Sequence, residues 1–172
     1  MASAKREKYL YEHYSARLLA VCCRYMGDRE MAEDVLHDSF ITIFRKIDDI
    51  EDRGEERLYA WMRRIAVNKC IDIIRKRKKP ILSLEEVRDL PDEVEQEPEG
   101  VRKIPPERLF RMIEELPEGY RTIFNLFCLD GYSHAEIAGM LGIKEKTSSS
   151  QYFRARSLLA QKIKDYLAHD EE

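Results

Sequence analysis

Five of the six prolines in this 172-residue chain lie between Pro80 and Pro106, and that clustering limits the possible folds more than any other feature. Proline has no N–H to give a helix, and it pushes the residue before it out of helical geometry. Continuous helix therefore stops at Pro80, and any core must form separately on either side of this stretch. The same residues, 80–106, carry 8 Asp/Glu against 3 Lys/Arg, a composition that favours an extended, flexible linker. Only marginal helical turns near Leu84–Val87 are expected within it. Elsewhere glycine is sparse and β-branched alternation is absent, so long helices dominate. The expected fold class is all-α: a helical domain over 1–79, an acidic linker over 80–106, and a second helical domain over 107–172.

Charge narrows the partners. The formal net charge is −3, but residues 1–79 hold 18 Lys/Arg against 14 Asp/Glu, and residues 107–172 hold 9 against 11. Whole-domain basicity is missing, so any DNA binding must come from local faces, with a partner adding affinity. Cys22, Cys23, Cys70 and Cys128 all sit in apolar helical runs without metal-ligand spacing, which reads as reduced core thiols in a reducing compartment. The N-terminus lacks the apolar run of a signal peptide, and no segment is long and apolar enough to span a bilayer. A cytoplasmic protein with no membrane insertion is expected.

In the first domain, a helix from about Lys5 to Met26 would bury Tyr9, Leu10, Tyr14, Leu18, Val21 and Tyr25. Gly27 closes it, and Asp28 caps a second helix reaching Ile47, with Met31, Val35, Ile41 and Phe44 as packing residues. A polar loop, Asp48–Glu56, leads into Leu58–Lys79, LYAWMRRIAVNKCIDIIRKRKK. Residues three or four apart share a helix face. Arg64, Asn68, Asp72, Arg75 and Lys79 then form one polar stripe, with Val67, Cys70, Ile71 and Ile74 forming an apolar stripe beside it. Arg and Lys neutralise phosphate, while Asn pairs with an adenine edge. This helix alone fits a solvated face equally well.

A second signal lies downstream in GYSHAEIAGMLGIKEKTSSSQYFRARSLLAQKI, starting at Gly131. Ser133 with Glu136 makes a capping box, and Gly142 supplies the left-handed residue that ends the helix. From about Glu145 a second helix would turn Ser148, Tyr152, Ala155 and Leu159 inward. Ser149, Ser150, Phe153, Arg154 and Ser157 would face outward. The pattern is a helix-turn-helix, whose second helix enters the DNA major groove.

Two DNA-reading elements joined by a linker carry a family likeness. Through GDREMAEDVLHDSFITIF (Gly27–Phe44), AWMRRIAVNKCIDIIRKRKK (Ala60–Lys79) and LPEGYRTIFNLFCLDGYSHAEIAGMLGIKEKTSSSQYFRAR (Leu116–Arg156), the chain resembles the extracytoplasmic-function (ECF) sigma factors. That resemblance covers about Tyr9–Lys79 and Pro106–Tyr166. It implies that the second helix docks on the clamp coiled coil of core RNA polymerase through Glu33, Asp34, His37, Asp38, Phe40 and Ile41. An acidic, part-apolar surface suits a basic coiled coil. The family usually has Gln at the position of His37, and no third ligand makes His37 a metal site.

The resemblance also implies that the Trp61 helix and the loop before it melt the −10 promoter element and capture a flipped base. That role falls to Trp61 and Asn68, with Arg63, Arg64, Lys69, Arg75 and Arg77 on the backbone. Trp61 also fits as a core residue, since Leu58, Met62 and Ile65 stand at core spacing. The −35 element would be read by Ser149, Ser150, Gln151, Phe153 and Arg154, with Lys144 and Lys146 on phosphates. The family typically has Val, Lys or Arg, Ser and Arg where this chain has Ser148, Ser149, Ser150 and Gln151. Two cations are thus replaced, which shifts readout toward hydroxyls, the amide and Phe153, whose ring suits a thymine methyl. An anti-sigma factor is a further expected partner.

No nucleophile–base pair, phosphate-binding loop or metal cluster stands out, and His13, His37, His134 and His169 fall on different elements. Neither a catalytic residue nor a cofactor is expected; any chemistry belongs to the polymerase. The C-terminal half alone would also fit a helix-turn-helix regulator that binds duplex DNA without polymerase. The Trp–Asn–basic helix argues against that, because a duplex binder does not melt DNA.

Overall fold

The computed structural model describes residues 2–77 and 99–170, and the chain divides after Arg77 into two compact units. The first unit is a three-helix bundle: α1 (Ala2–Met26), α2 (Arg29–Lys46) and α3 (Glu55–Lys76). On α1 the buried residues Leu10, Tyr14, Leu18, Val21 and Tyr25 recur at helical spacing and form one wall of the core. Met62, Ala66, Val67, Cys70, Ile71 and Ile74 of α3 form another. Asp28 caps α2, its carboxylate accepting from Met31 N at 3.2 Å.

Several expected boundaries move. α1 begins at Ala2, before Lys5, and Tyr9 is 46% exposed, so it leaves the core face. α2 runs into a 3₁₀ turn, Ile47–Asp49, that buries Ile47. The open loop then shrinks to residues 50–54, because Glu55 and Glu56 already form the first turn of α3. Carboxylates there oppose the positive end of the helix dipole. On α2, Phe40 is 2% exposed while Ile41 is 39% exposed, the reverse of packing through Ile41. The Phe40 ring is covered by Tyr11 of α1, with centroids 5.0 Å apart.

The second unit begins earlier than the proline pattern suggests. Gly100, at φ 88°, turns the chain into a 3₁₀ segment, Val101–Lys103, and a Cβ there would lie 3.3 Å from Leu167 Cδ1. Ile104 is buried against Met112 and Ile163, with Val101 and Leu167 packed beside them. Residues 101–104, expected in the linker, thus belong to a core; residues 80–98 of that linker lie outside the described residues. The unit continues with α4 (Pro106–Glu114), α5 (Glu118–Phe124), a π turn (Asn125–Leu129), α6 (His134–Leu141) and α7 (Glu145–Asp170). Pro106 sits in the first turn of α4, where its missing N–H costs nothing. Arg121, itself buried, donates from Nη1 to the carbonyls of Glu114 (2.9 Å) and Leu116 (3.3 Å). Those bonds close the end of α4, where helix carbonyls lack partners.

Candidate polymerase and promoter interfaces

The acidic face of α2 survives folding in part. Glu33, Asp34, His37 and Asp38 are exposed, and Ile41 supplies the apolar component; Phe40 does not, since it belongs to the core. Glu33 pairs with Arg29 one turn back at 3.1 Å, an exposed pair of small energetic weight. Beside this face, a cleft of about 410 Å³ separates α2 from α1, lined by Tyr11, Ser15, Ala16 and Leu19 against Glu33, Leu36 and His37. The contribution of α1 was not foreseen. Its only signal was Tyr11, next to the periodic apolar positions.

On α3, Arg64, Asn68, Asp72 and Arg75 are exposed, while Val67, Cys70, Ile71 and Ile74 are buried. Polar and apolar stripes therefore separate as the spacing predicts; Lys79 lies outside the described residues. Arg63 and Lys69 flank the stripe, half-buried. Arg77 lies one residue beyond the last turn of α3. It is half-buried at the end of α3, and its Nη2 lies 3.0 Å from Met31 Sδ on α2.

Trp61 resolves into neither extreme. It is half-buried and helps to line a cavity of about 400 Å³ with Ile47, Ile50 and Leu58, under the loop that carries Glu51, Asp52 and Arg53. Arg6 of α1 reaches the same cavity. Charged groups outnumber the apolar ones in its lining, so polar contacts weigh as much as burial in what it could hold.

In the second unit the helix-turn-helix forms as its signals predict. Ser133 Oγ accepts from Glu136 N at 3.1 Å, and the Glu136 carboxylate accepts from Ser133 N at 3.5 Å. Gly142 adopts φ 68° and ends α6. On α7, Ser148 and Ala155 are buried, Tyr152 and Leu159 are half-buried, and Lys144, Lys146, Ser149 and Phe153 are exposed. Ser150 is half-buried and its Oγ donates to the Lys146 carbonyl at 2.9 Å. Arg154 is half-buried, and its Nη1 has no hydrogen-bond partner.

Two outward expectations fail here. Gln151 is 0% exposed and Ser157 is buried, its Oγ donating to the Phe153 carbonyl at 3.1 Å. Gln151 follows Ser148 by three and precedes Ala155 by four, so it stands on the inward stripe. It cannot reach a base. His134 was not foreseen as a structural residue: its ring stacks on Phe127 at 4.1 Å, and Nδ1 lies 2.9 Å from Ser148 Oγ, tying α6 to α7. Among the cysteines, Cys22 and Cys70 are buried as expected, Cys23 is half-buried, and Cys128 is exposed. Among the described residues, no cluster of His, Cys, Asp and Glu has the make-up of a metal site, and no helix is long and apolar enough to cross a membrane.

A bundle presenting an acidic helix and a Trp–Asn–Arg helix, followed by a helix-turn-helix unit, defines a DNA-binding protein of transcription. Residues 10–79 match the family Sigma-70 region 2, and residues 107–159 match Sigma-70, region 4. Over 168 residues the chain is 32% identical to the ECF RNA polymerase sigma-E factors of Escherichia coli and Salmonella typhimurium, covering 89% of this chain and 82% of each relative. The ECF RNA polymerase sigma factor SigE of Mycolicibacterium smegmatis is 28% identical over 92% of this chain and 60% of its own length. The fold resembles the sigma factor RpoE of Bartonella quintana, solved in complex with the anti-sigma factor NepR, at TM-score 0.53 and 22% identity, covering 93% and 98% of the two chains. The chain belongs to the ECF sigma factors. It binds core RNA polymerase and promoter DNA and directs promoter-specific initiation of transcription.

Proposed function

We propose that the two units divide this work, residues 1–79 engaging polymerase and opening the −10 element, and residues 107–172 docking on the −35 duplex. The observation that carries the division is the joint exposure of Arg64, Asn68, Asp72 and Arg75 on α3, close in sequence to the cavity lined by Trp61. Flipping a base costs a few kcal/mol of unstacking. A half-open pocket bounded by an indole, with an amide and cations on the same helix, offsets that cost where a closed duplex gains nothing. Residues 50–54, which roof the cavity, bring carboxylates and so act through shape and hydrogen bonding instead of attraction to phosphate.

The acidic groups of α2 with Ile41 form the surface for the clamp coiled coil, and the neighbouring cleft admits a protruding side chain of the partner. On α7, Ser149, Phe153 and Arg154 face the major groove while Lys144 and Lys146 hold phosphates. The half-buried Arg154 guanidinium, its Nη1 covered in the free chain, turns outward to meet guanine, the base its fork suits best. The chain itself performs no catalysis and acts in the cytoplasm.

Because the similar RpoE was solved with an anti-sigma factor, an inhibitory protein of that kind is proposed for this chain also. Isolation of the protein from its native cells, before and after stress, is expected to yield a stoichiometric partner that is lost on induction; finding none in either state would refute this. Reconstitution with purified core enzyme tests the main reading: co-elution and a specific transcript are expected. A chain that co-elutes but needs neither α3 nor α7 substituents for promoter choice would contradict the division.

A further inference from the structure

A second surface, on α1, lies beside the Trp61 cavity and is used by none of these roles. Arg6, Tyr9, His13 and Arg17 succeed one another at helical intervals of three and four, so they share one face. Tyr9, His13 and Arg17 are all exposed. The Tyr9 ring lies against the His13 imidazole with centroids 4.5 Å apart and planes 25° from parallel. His13 meets Tyr14 edge-on at 5.9 Å, and Tyr14 stacks on Tyr59 of α3 at 6.0 Å. The Arg17 guanidinium sits 3.7 Å from the centroid of the Tyr59 ring. At the other end of the stripe, Arg6 reaches the cavity that Trp61 lines. Its partner Asp48, at 3.3 Å, is exposed, so the pair is weak enough to exchange for a phosphate.

Two stacked, exposed rings flanked by cations answer the two needs of a single strand: a flat face on which a base stacks and positive groups for its phosphates. Duplex DNA keeps its bases stacked inside and would leave the rings unused. An acidic protein partner would use the arginines but has no need of stacked planar faces. Resting on the promoter reading, we propose that the Arg6–Tyr9–His13–Arg17 stripe, with Tyr59, is a stacking track for the displaced single strand of the opened promoter. The strand passes from the Trp61 cavity onto α1, so bases beyond the captured one are held by protein instead of returning to the duplex.

The test uses the full chain in holoenzyme on a promoter carrying 5-iodouracil at successive positions of each strand. Irradiation of the open complex is expected to crosslink neighbouring positions of one strand to Tyr9, His13 or Tyr59. The double substitution Tyr9→Ala, His13→Ala is expected to shorten open-complex lifetime by about tenfold per lost stack, with core affinity unchanged. Tyr9→Phe is expected to restore what Tyr9→Ala loses, and Lys8→Ala serves as a control on the same helix. Crosslinks confined to α3, with a normal lifetime for the double variant, would overturn the inference alone. So would a double variant whose defect is weaker core binding, because the stripe would then be a protein contact. A wild-type holoenzyme that opens no promoter would overturn the inference together with the promoter reading on which it rests.

Discussion

Asn68 and Arg154 are both polar residues on amphipathic helices, yet their surroundings predict different failures. Asn68 is exposed on α3, so Asn68→Ala is expected to leave the fold intact and to impair promoter opening if the proposed role holds. Arg154→Ala is expected to weaken duplex binding by about 1–3 kcal/mol if its fork meets a base edge, read as a gel-shift affinity on the upstream element. Lys144→Ala should cost less and equally on all sequences, since a phosphate contact carries no sequence information. Gln151 makes the opposite case. Because it is wholly buried, Gln151→Ala should lower the melting temperature and leave promoter preference unchanged; altered preference in a fully stable variant would contradict its burial. Tyr14 predicts a pH effect. Burial, then the nearby Glu55 carboxylate, pushes its hydroxyl above the ordinary 10.0, against a smaller opposing pull from Arg17. The folded chain keeps a proton that the unfolded chain releases, so stability should fall as pH rises beyond about 10. Urea midpoints across that range check this, and Tyr14→Phe should flatten the slope.

At the level of elements, the best predicted features were those written in local chemistry. The Asp28 cap, the Ser133–Glu136 box and Gly142 are each set by a few adjacent residues, and each forms as expected. Ser133→Ala should therefore cost about 1 kcal/mol of stability in the second unit, measured by chemical denaturation. Faces at the margin of a stripe were less legible. Phe40 stands four after Leu36 and three before Ile43 on the buried stripe of α2, while Ile41 falls just outside it, so only the full run of spacings separates the two neighbours. The family likeness puts Gln151 among the base readers, although its own spacing from Ser148 and Ala155 points inward. Residues 101–104 fall inside the Pro-rich, acidic stretch 80–106, whose overall composition suggests a linker. The apolar pair Val101 and Ile104, which docks on α7 beside Leu167, outweighs that composition. The role of Arg121 is invisible for a related reason: its two carbonyl partners, at the end of α4 and just past it, come within reach only once the α4–α5 turn exists.

At the scale of the whole molecule, neither unit is strongly basic, and the formal charge is −3. Affinity for promoter DNA should therefore depend on core polymerase, with steep salt sensitivity in the holoenzyme and little DNA binding by the free chain. A free chain that bound promoter duplex tightly at physiological salt would favour the polymerase-independent regulator. In the proposed division of labour, α3 opens DNA while α7 holds the upstream duplex in register. Permanganate footprinting of holoenzyme on a duplex promoter and on the same promoter premelted at the −10 element tests this most directly. Premelting is predicted to restore Asn68→Ala to near wild-type reactivity and to do little for Arg154→Ala, whose defect precedes opening. Equal rescue of both variants, or of neither, would contradict the division of labour between the two units.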